Sequence, residues 1–367
     1  MWTSSRLSRA LGISYPIVQG PFGGGNSSPE LAAAVSNAGA LGSLGAVGLE
    51  PDALRATIDA IRSRTSRPFN INLWVPIPGE DDVRPTAEAR ERALGHVRER
   101  YRALGMDDPA PREDVPFVEQ VEALLDARPP VFSFVMGIPD KAILREAERR
   151  GIVTIGTATT VDEAVRIEEA GATAVVASGS DAGGHRGSFL RPVEASLVGT
   201  MSLVPQMARA VGIPVIAAGG IADGRGIAAA LALGADAVQV GTAFLVTPES
   251  GAPPAHKALL GTAESRFTRL TRAITGRYAR GIDNGLMRSL EAALGDVLPY
   301  PAQHFLTSAL RRAAGARGDA DSVALWAGQN AASARAMPAA EVVATLVRET
   351  DEALASERLR PRDVHGA

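Results

Sequence analysis

One histidine and a set of glycines carry most of the chemistry that this sequence offers. His185 stands in ASGSDAGGHRG, residues 177–187, with four glycines, Ser178 and Asp181. It is the one side chain of that stretch able to exchange a proton near neutral pH. The glycines let backbone come close to a ligand. A second stretch, PVIAAGGIADGRGIAAALALGADAVQVGTAFL, covers residues 214–245. In it Gly219-Gly220 and Gly241-Thr242 each follow an apolar run and precede a helical one. Such turns offer N–H groups to an anion at a helix start, and the Thr242 hydroxyl adds a donor. Together the two stretches suggest a phosphate-bearing cofactor held beside a catalytic histidine. Asp181 can either orient His185 or cap a helix.

Other chemistries find little support. The chain has no cysteine, which excludes disulfides, thiol nucleophiles, iron–sulfur clusters and zinc–thiolate sites, and no metal site is expected. Neither lysine, Lys141 or Lys257, lies in a glycine-rich loop, so a Schiff base is disfavoured. No Gly-x-Gly-x-x-Gly follows the first strand and no Gly-Lys-Ser/Thr occurs, which argues against a Rossmann fold and a nucleotide triphosphatase. A net charge of −3 gives no concentrated basic face for nucleic acid. No apolar run reaches the ~18 residues of a membrane span, and the first residues lack a signal-peptide core. A cytoplasmic enzyme is expected, with neither nucleic acid nor membrane as partner. His96 and His256 fall on helical surfaces and are expected to be solvated.

The elements that must position these residues alternate regularly. Strands are expected at 13–19, 40–45, 69–74, 131–135, 152–156, 173–177, 215–218 and 237–240, with helices between them. That pattern specifies an α/β fold, a (β/α)8 TIM barrel, with a smaller, mostly helical second unit. Barrel sites lie at the carboxyl ends of the strands, and phosphate sites often follow strands seven and eight, where the two glycine turns fall. The barrel is assigned to 1–262, with an insertion at about 75–116 that contains one helix over 86–104. That insertion is too long for a simple connection; it fits a lid and a solvated decoration equally well. Residues 263–356 are assigned to a small helical unit covering the barrel mouth. It has a hairpin within 267–281 and helices at 283–294, 302–316 and 339–355. Residues 357–367 are expected to form a frayed tail.

Ordered pieces along almost the whole chain carry a family resemblance. They are PIVQGPF, SPELAAAVSNAGALGSLGA, INLWVP, TATTVDEA, GSDAGGHRGSF, AAGGI, QVGTAFL, RGIDN, YPAQHFLT, LWAGQN and PAAEVV. The set, above all AGGHRG with LWAGQ, resembles the nitronate monooxygenase family, formerly called 2-nitropropane dioxygenases, in its class I branch. The resemblance implies FMN as cofactor. Gly20, Pro21 and Phe22 would lie along the flavin ring, and Asn72 would hydrogen-bond it. Ser178 and Gly183 would meet it from the sixth strand and its loop. Gly220, Gln239, Val240, Gly241 and Thr242 would hold the phosphate, and Gly328 and Gln329 would close over one edge of the ring system. His185 would be the catalytic base, or the donor that positions substrate.

The resemblance also marks departures. Ser178 stands where the family usually has Gln, and Val135 where many members have a pocket His. His304 and Ser308 stand where some members place Tyr and Lys. Val135, Tyr300 and His304 are the candidate pocket residues, although simple packing explains Tyr300 and His304 equally well. With those anchors gone, simple alkyl nitronates should compete well with propionate 3-nitronate. The implied reaction is FMN-dependent oxidation of a nitronate, or of a nitroalkane, by dioxygen to a carbonyl compound and nitrite. An FMN-dependent NAD(P)H reductase of quinones or enoyl thioesters is the alternative on the same barrel. A homodimer is compatible with either.

Overall fold

The computed structural model describes residues 2–356 apart from 78 and 80–82; the tail expected at 357–367 lies outside the described residues. Eight parallel strands form the centre: Ile17–Gln19, Gly42–Gly45, Phe69–Trp74, Val131–Val135, Val153–Ala158, Ala174–Ser178, Val215–Ala218 and Ala237–Val240. From the second strand to the eighth each pairs with the next, the first pairs with the eighth, and a bridge between Val18 and Leu41 joins the first to the second. The ring is therefore closed, as the (β/α)8 expectation required. Its strands are short apolar runs covered on both faces, the pattern of a parallel sheet wrapped in helices.

Local signals set the helix ends. Pro29–Asn37 begins where the Ser28 hydroxyl accepts from Leu31 N. Val161–Ala170 opens with a reciprocal capping box between Thr160 and Glu163 and stops at Gly171, whose φ of 96° suits glycine. Two expected helices are cut shorter. The helix expected at 86–104 is two, Ala87–Gly95 and Arg98–Ala103. The chain turns at His96-Val97, and this lets Leu94, Val97 and Tyr101 enter one apolar cluster. The helix expected at 195–211 begins at Thr200, after a separate 3-10 turn at Val193–Ser196. Its start is fixed by Asp181, whose Oδ2 accepts from Thr200 N at 2.8 Å and Thr200 Oγ1 at 2.9 Å.

Packing divides the chain differently from the simple boundary at 262. The helix Ala339–Ala355, grouped by sequence with the second unit, buries Val342, Val343 and Leu346 in the barrel's own core. It lies on Gly224–Ala232 so closely that a methyl on Gly224 would sit 2.2 Å from the Glu349 carbonyl carbon. It is the helix that follows strand eight, delayed by an excursion. That excursion contains an antiparallel pair, Thr268–Thr271 with Ala279–Ile282, and His185 and Gly184 extend this small sheet. The 75–116 insertion is not a free decoration. Ala93, Leu94, Val97 and Tyr101 share a core with Leu286, Leu290, Leu298, Leu306 and Leu310, and the Tyr101 hydroxyl donates to Leu306 O at 2.8 Å. His256, expected at a solvated surface, is fully buried instead.

Candidate active site

The barrel opens at the carboxyl ends of its strands. Strand residues are buried for most of their length, but Gly45, Trp74, Val135, Thr157 and Gln239, at or next to those ends, are half-exposed. Beneath them lies a polar floor. Gln19 accepts from Ser43 N at 2.8 Å, Asn70 donates to Ser133 Oγ at 2.9 Å, and Asn72 donates to the same oxygen at 2.9 Å.

Most of the residues singled out for a cofactor come together on one side of this mouth. A methyl on Gly20 would lie 3.2 Å from Gly241 Cα, and one on Gly241 3.7 Å from the Phe22 ring. Thr242 Oγ1 accepts from Gly328 N at 3.0 Å. A methyl on Gly183 would lie 2.4 Å from Gly328 N, and Gln329 N donates to Asp181 O at 3.0 Å. Gly220, at φ 72°, faces Asp181 and accepts from Asn330 Nδ2 at 3.0 Å. Five separate chain segments thus meet through backbone, and glycine is what lets them approach. Two of the expected residues differ from the rest in exposure. Val240 is wholly buried in the apolar core, and Gln329 is exposed. Ser178 is engaged by Arg186, whose Nη2 donates to Ser178 O at 2.8 Å. Pro21 is half-exposed beside Phe22.

His185 stands across from this cluster in a wall of rings. Trp74 meets it edge-on at 4.8 Å between centroids and Trp326 at 5.4 Å. Tyr300 lies 5.6 Å from Trp74, and His304 5.9 Å from Tyr300. Arg277 sits over the Tyr300 ring at 4.5 Å, a cation–π contact. Val135 lies under the His185 loop, where a methyl on Gly187 would come within 2.5 Å of its Cγ2. Tyr300 and His304 are therefore linked to His185 through Trp74. Trp74, Trp326, Thr275 and Arg277 had no role assigned from sequence. The tryptophans lie inside INLWVP and LWAGQN; for Trp74 the available signal was an aromatic at the carboxyl end of a strand, whereas Trp326 lies outside every strand and meets the sheet only through an isolated bridge to Gly281.

The hydrogen bonds fix the form of His185. The Thr275 hydroxyl donates to Arg277 O at 3.1 Å, so its oxygen is left to accept from His185 Nε2 at 2.9 Å. Nε2 therefore carries the proton, and Nδ1 presents a lone pair. Nδ1 has no partner among the described residues and is not sealed from solvent. Burial, reinforced by the charges of Arg277 and Arg311, pushes the His185 pKa down to about 3. The imidazole is neutral at physiological pH, and an anion placed beside it would raise its proton affinity. Asp181 does not touch it; its carboxylate caps the helix at Thr200.

Comparisons with known proteins agree with this arrangement. The description of the family whose profile matches residues 4–349 is "NMO: Nitronate monooxygenase". A "Probable nitronate monooxygenase" of Staphylococcus aureus is 39% identical over 355 residues, covering 96% of this chain and 99% of the relative. Among solved structures, a nitroalkane oxidase from Streptomyces ansochromogenes is 42% identical, with TM-score 0.86 over 95% of this chain and 98% of that one. FabK from Thermotoga maritima is 31% identical, with TM-score 0.75 over 97% and 98%. With the closed barrel, the glycine-built mouth and the His185 wall in place, these matches establish that the chain belongs to the nitronate monooxygenase family of oxidoreductases.

Proposed function

We propose that the protein oxidises alkyl nitronates with dioxygen, using FMN, to carbonyl compounds and nitrite. The observation that carries this reading is a neutral histidine with an open Nδ1, walled by two tryptophans, on the same barrel mouth as a glycine-built cradle. The residues present fit the cofactor. Among the described residues, no backbone acceptor takes the N–H of Gly220 or Thr242, and the half-buried Gln239 amide has no hydrogen-bond partner. Those are the donors a phosphate needs. Gly241 leaves room for a ligand where a side chain would intrude, since only Phe22 would lie within 4 Å of a methyl placed there. Gly20, Pro21 and Phe22 would flank the flavin with Gly183, Ser178, Gly328 and Gln329, and Asn72 would meet it from the polar floor.

Bound FMN supplies the electron-accepting ring and the reaction with dioxygen. The chain's own residues bind, orient and handle the proton. His185 Nδ1 would take a proton from a neutral nitroalkane, and the resulting imidazolium would pair with the nitronate it leaves behind. A nitronate taken up directly would bind beside the same nitrogen together with a proton. Trp74 and Trp326 hold the ring and exclude water from its flanks, and Thr275 keeps the proton on Nε2. With Val135 at the strand end and no lysine at position 308, the mouth favours compact alkyl substrates.

Two measurements test this. Purified protein should carry FMN, and Gly241→Ala, which creates no clash, should weaken FMN binding by at least about tenfold, in line with ~1.4 kcal/mol of lost contact. Gly220→Val is the poorer probe, because its positive φ strains any side chain. An alkyl nitronate added without oxygen should bleach the flavin, and oxygen should restore it. Rapid bleaching by NADH or NADPH, with nitronates inert, would instead favour the reductase of quinones or enoyl thioesters.

A further inference from the structure

Of the chain's 38 basic residues only Lys141 and Lys257 are lysine. Arginine offers a planar fork of donors, whereas a lysine ammonium is a compact charge whose three donors can reach separate acceptors. Lys257 uses that difference. It lies on the helix Pro254–Leu259, and its Nζ donates to Thr247 O at 2.8 Å, Ser250 O at 2.7 Å and, more loosely, Pro248 O at 3.4 Å. The two short contacts have the length of charge-assisted hydrogen bonds. All three acceptors are neutral backbone oxygens of one turn. Among the described residues no carboxylate forms an ion pair with Lys257. The acid of that turn, Glu249, accepts instead from Ala339 N, at 3.1 Å on each oxygen. Burial lowers the Lys257 pKa, and the Glu249 charge offsets part of that from a distance.

The turn joins three parts of the barrel. Toward the first strand, Gly251 N and Ser250 Oγ both donate to Asn26 O, at 3.0 and 3.2 Å, and Ser28 Oγ donates to Glu249 O at 2.5 Å. The approach is so close that a methyl on Gly251 would sit 2.0 Å from Gly25 O. Toward the eighth strand, Thr247 Oγ1 donates to Phe244 O at 2.9 Å in the short helix Thr242–Leu245, whose first residue takes Gly328 N. Toward the chain's end, Glu249 holds the start of Ala339–Ala355. Thr247 and Ser250 are buried, so their carbonyls need a partner from the protein. Backbone carbonyls gathered around one point are also how selective channels replace the water around a monovalent cation. Divalent ions call for carboxylates, and the one carboxylate of this turn is engaged elsewhere.

We propose that the oxygens of Thr247, Pro248 and Ser250 form a monovalent-cation site that Lys257 fills as a tethered cation, and that Lys257 is thereby a positioning residue for the cofactor cradle. The segments that the turn links carry Gly20, Pro21 and Phe22 on one side and Thr242 on the other. Arginine cannot take this place, because its fork is flat and its charge is spread over three nitrogens. Only the effect on FMN rests on the proposed function; the cation site stands on the turn itself.

Lys257→Met tests this in the full-length protein, because it keeps most of the side chain's length and removes the charge. The variant should melt roughly 3–8 °C below wild type and release FMN more readily. Potassium or ammonium should restore much of both losses, saturably. Tetramethylammonium, which is too large and has no N–H, should not do so at equal ionic strength. Wild-type protein should respond to the three salts alike, because its own ammonium fills the site. A crystal of the variant soaked in rubidium should show the anomalous signal of the ion among the three oxygens. Lys257→Gln, which keeps a polar end, carries the same measurements if the Met variant fails to fold. A folded variant as stable as wild type, equal rescue by all three salts, or no ion at the turn overturns the cation site. Cation-dependent stability with wild-type FMN affinity in the salt-free variant overturns the positioning role. Cation-dependent stability in a protein that binds no FMN at all would refute the proposed function and leave the cation site standing.

Discussion

Replacing Glu163 by Gln should loosen the His185 loop from a distance. Glu163 is fully buried and accepts five hydrogen bonds on two oxygens. Oε2 takes Thr159 N at 2.6 Å, Thr159 Oγ1 at 2.7 Å and Thr160 N at 3.2 Å. Oε1 takes Phe189 N at 2.7 Å and Leu190 N at 3.2 Å. One carboxylate thus ties the turn after strand five to the segment that follows His185. Its charge also supports the buried Arg186 guanidinium. Glutamine has the same size but only one oxygen. Whichever way its amide turns, an NH2 group faces two or three N–H or O–H donors. Hydrogen bonds to a charged acceptor are worth ~1.5–3 kcal/mol each and do not add fully. The loss of two of them, with donors left opposed, should cost about 3–5 kcal/mol, comparable to breaking a buried ion pair. Urea unfolding at pH 7 measures the total, and amide hydrogen exchange locates it. Phe189 and Leu190 should lose protection if the glutamine NH2 faces them, and Thr159 and Thr160 if it faces the other way. Stability within about 1 kcal/mol of wild type, with unchanged exchange across residues 159–160 and 189–190, would refute the reasoning.

Three further outcomes follow from the same geometry. Burial lowers the His256 pKa to about 4, so its neutral form is favoured by the fold; that stability is full above the ordinary His pKa and is lost as pH falls from about 6.5 toward 4. His256 alone should contribute about 3 kcal/mol of that loss, and urea unfolding from pH 7 to 4 should flatten correspondingly in His256→Asn; an unchanged slope would count against it. Gly183→Ala would press a methyl to 2.4 Å from Ala327 C and Gly328 N; FMN should dissociate more readily, and wild-type retention would mean that this approach does not shape the cofactor site. His185→Asn should keep FMN but lower turnover by ~10²–10⁴-fold, more for neutral nitroalkanes than for preformed nitronates, whereas small and equal losses would assign His185 a structural role.

Strand positions were legible because a buried parallel strand is a short apolar run between turns. Phe69–Trp74, Val131–Val135, Val215–Ala218 and Ala237–Val240 were expected residue for residue. The glycine turns were legible for a similar reason, since few residues replace glycine where backbones touch. Other features depend on distance in the fold. Nothing near Asp181 in sequence says that it caps the helix at Thr200 rather than orienting His185. Periodicity did not show that Val97 turns inward and breaks a helix, nor that the second unit covers His256. The helix Ala339–Ala355 was placed correctly along the chain but grouped with the wrong neighbours, because its apolar stripe does not say which core it joins.

That last helix gives the barrel a timetable. Strand eight ends at Val240, and the helix that covers it begins at Ala339. At ~5–20 residues per second, the ribosome needs roughly 5–20 s to make the stretch between them. Until then Gly224–Ala232 and Pro29–Asn37, which meet this helix in the finished fold, have emerged with part of their apolar surface uncovered. The nascent chain therefore holds an almost complete barrel with one open seam, the kind of surface that chaperones occupy and that unprotected chains use to aggregate. A stop codon just before Ala339 would not trim an accessory segment. It would leave that seam permanently open.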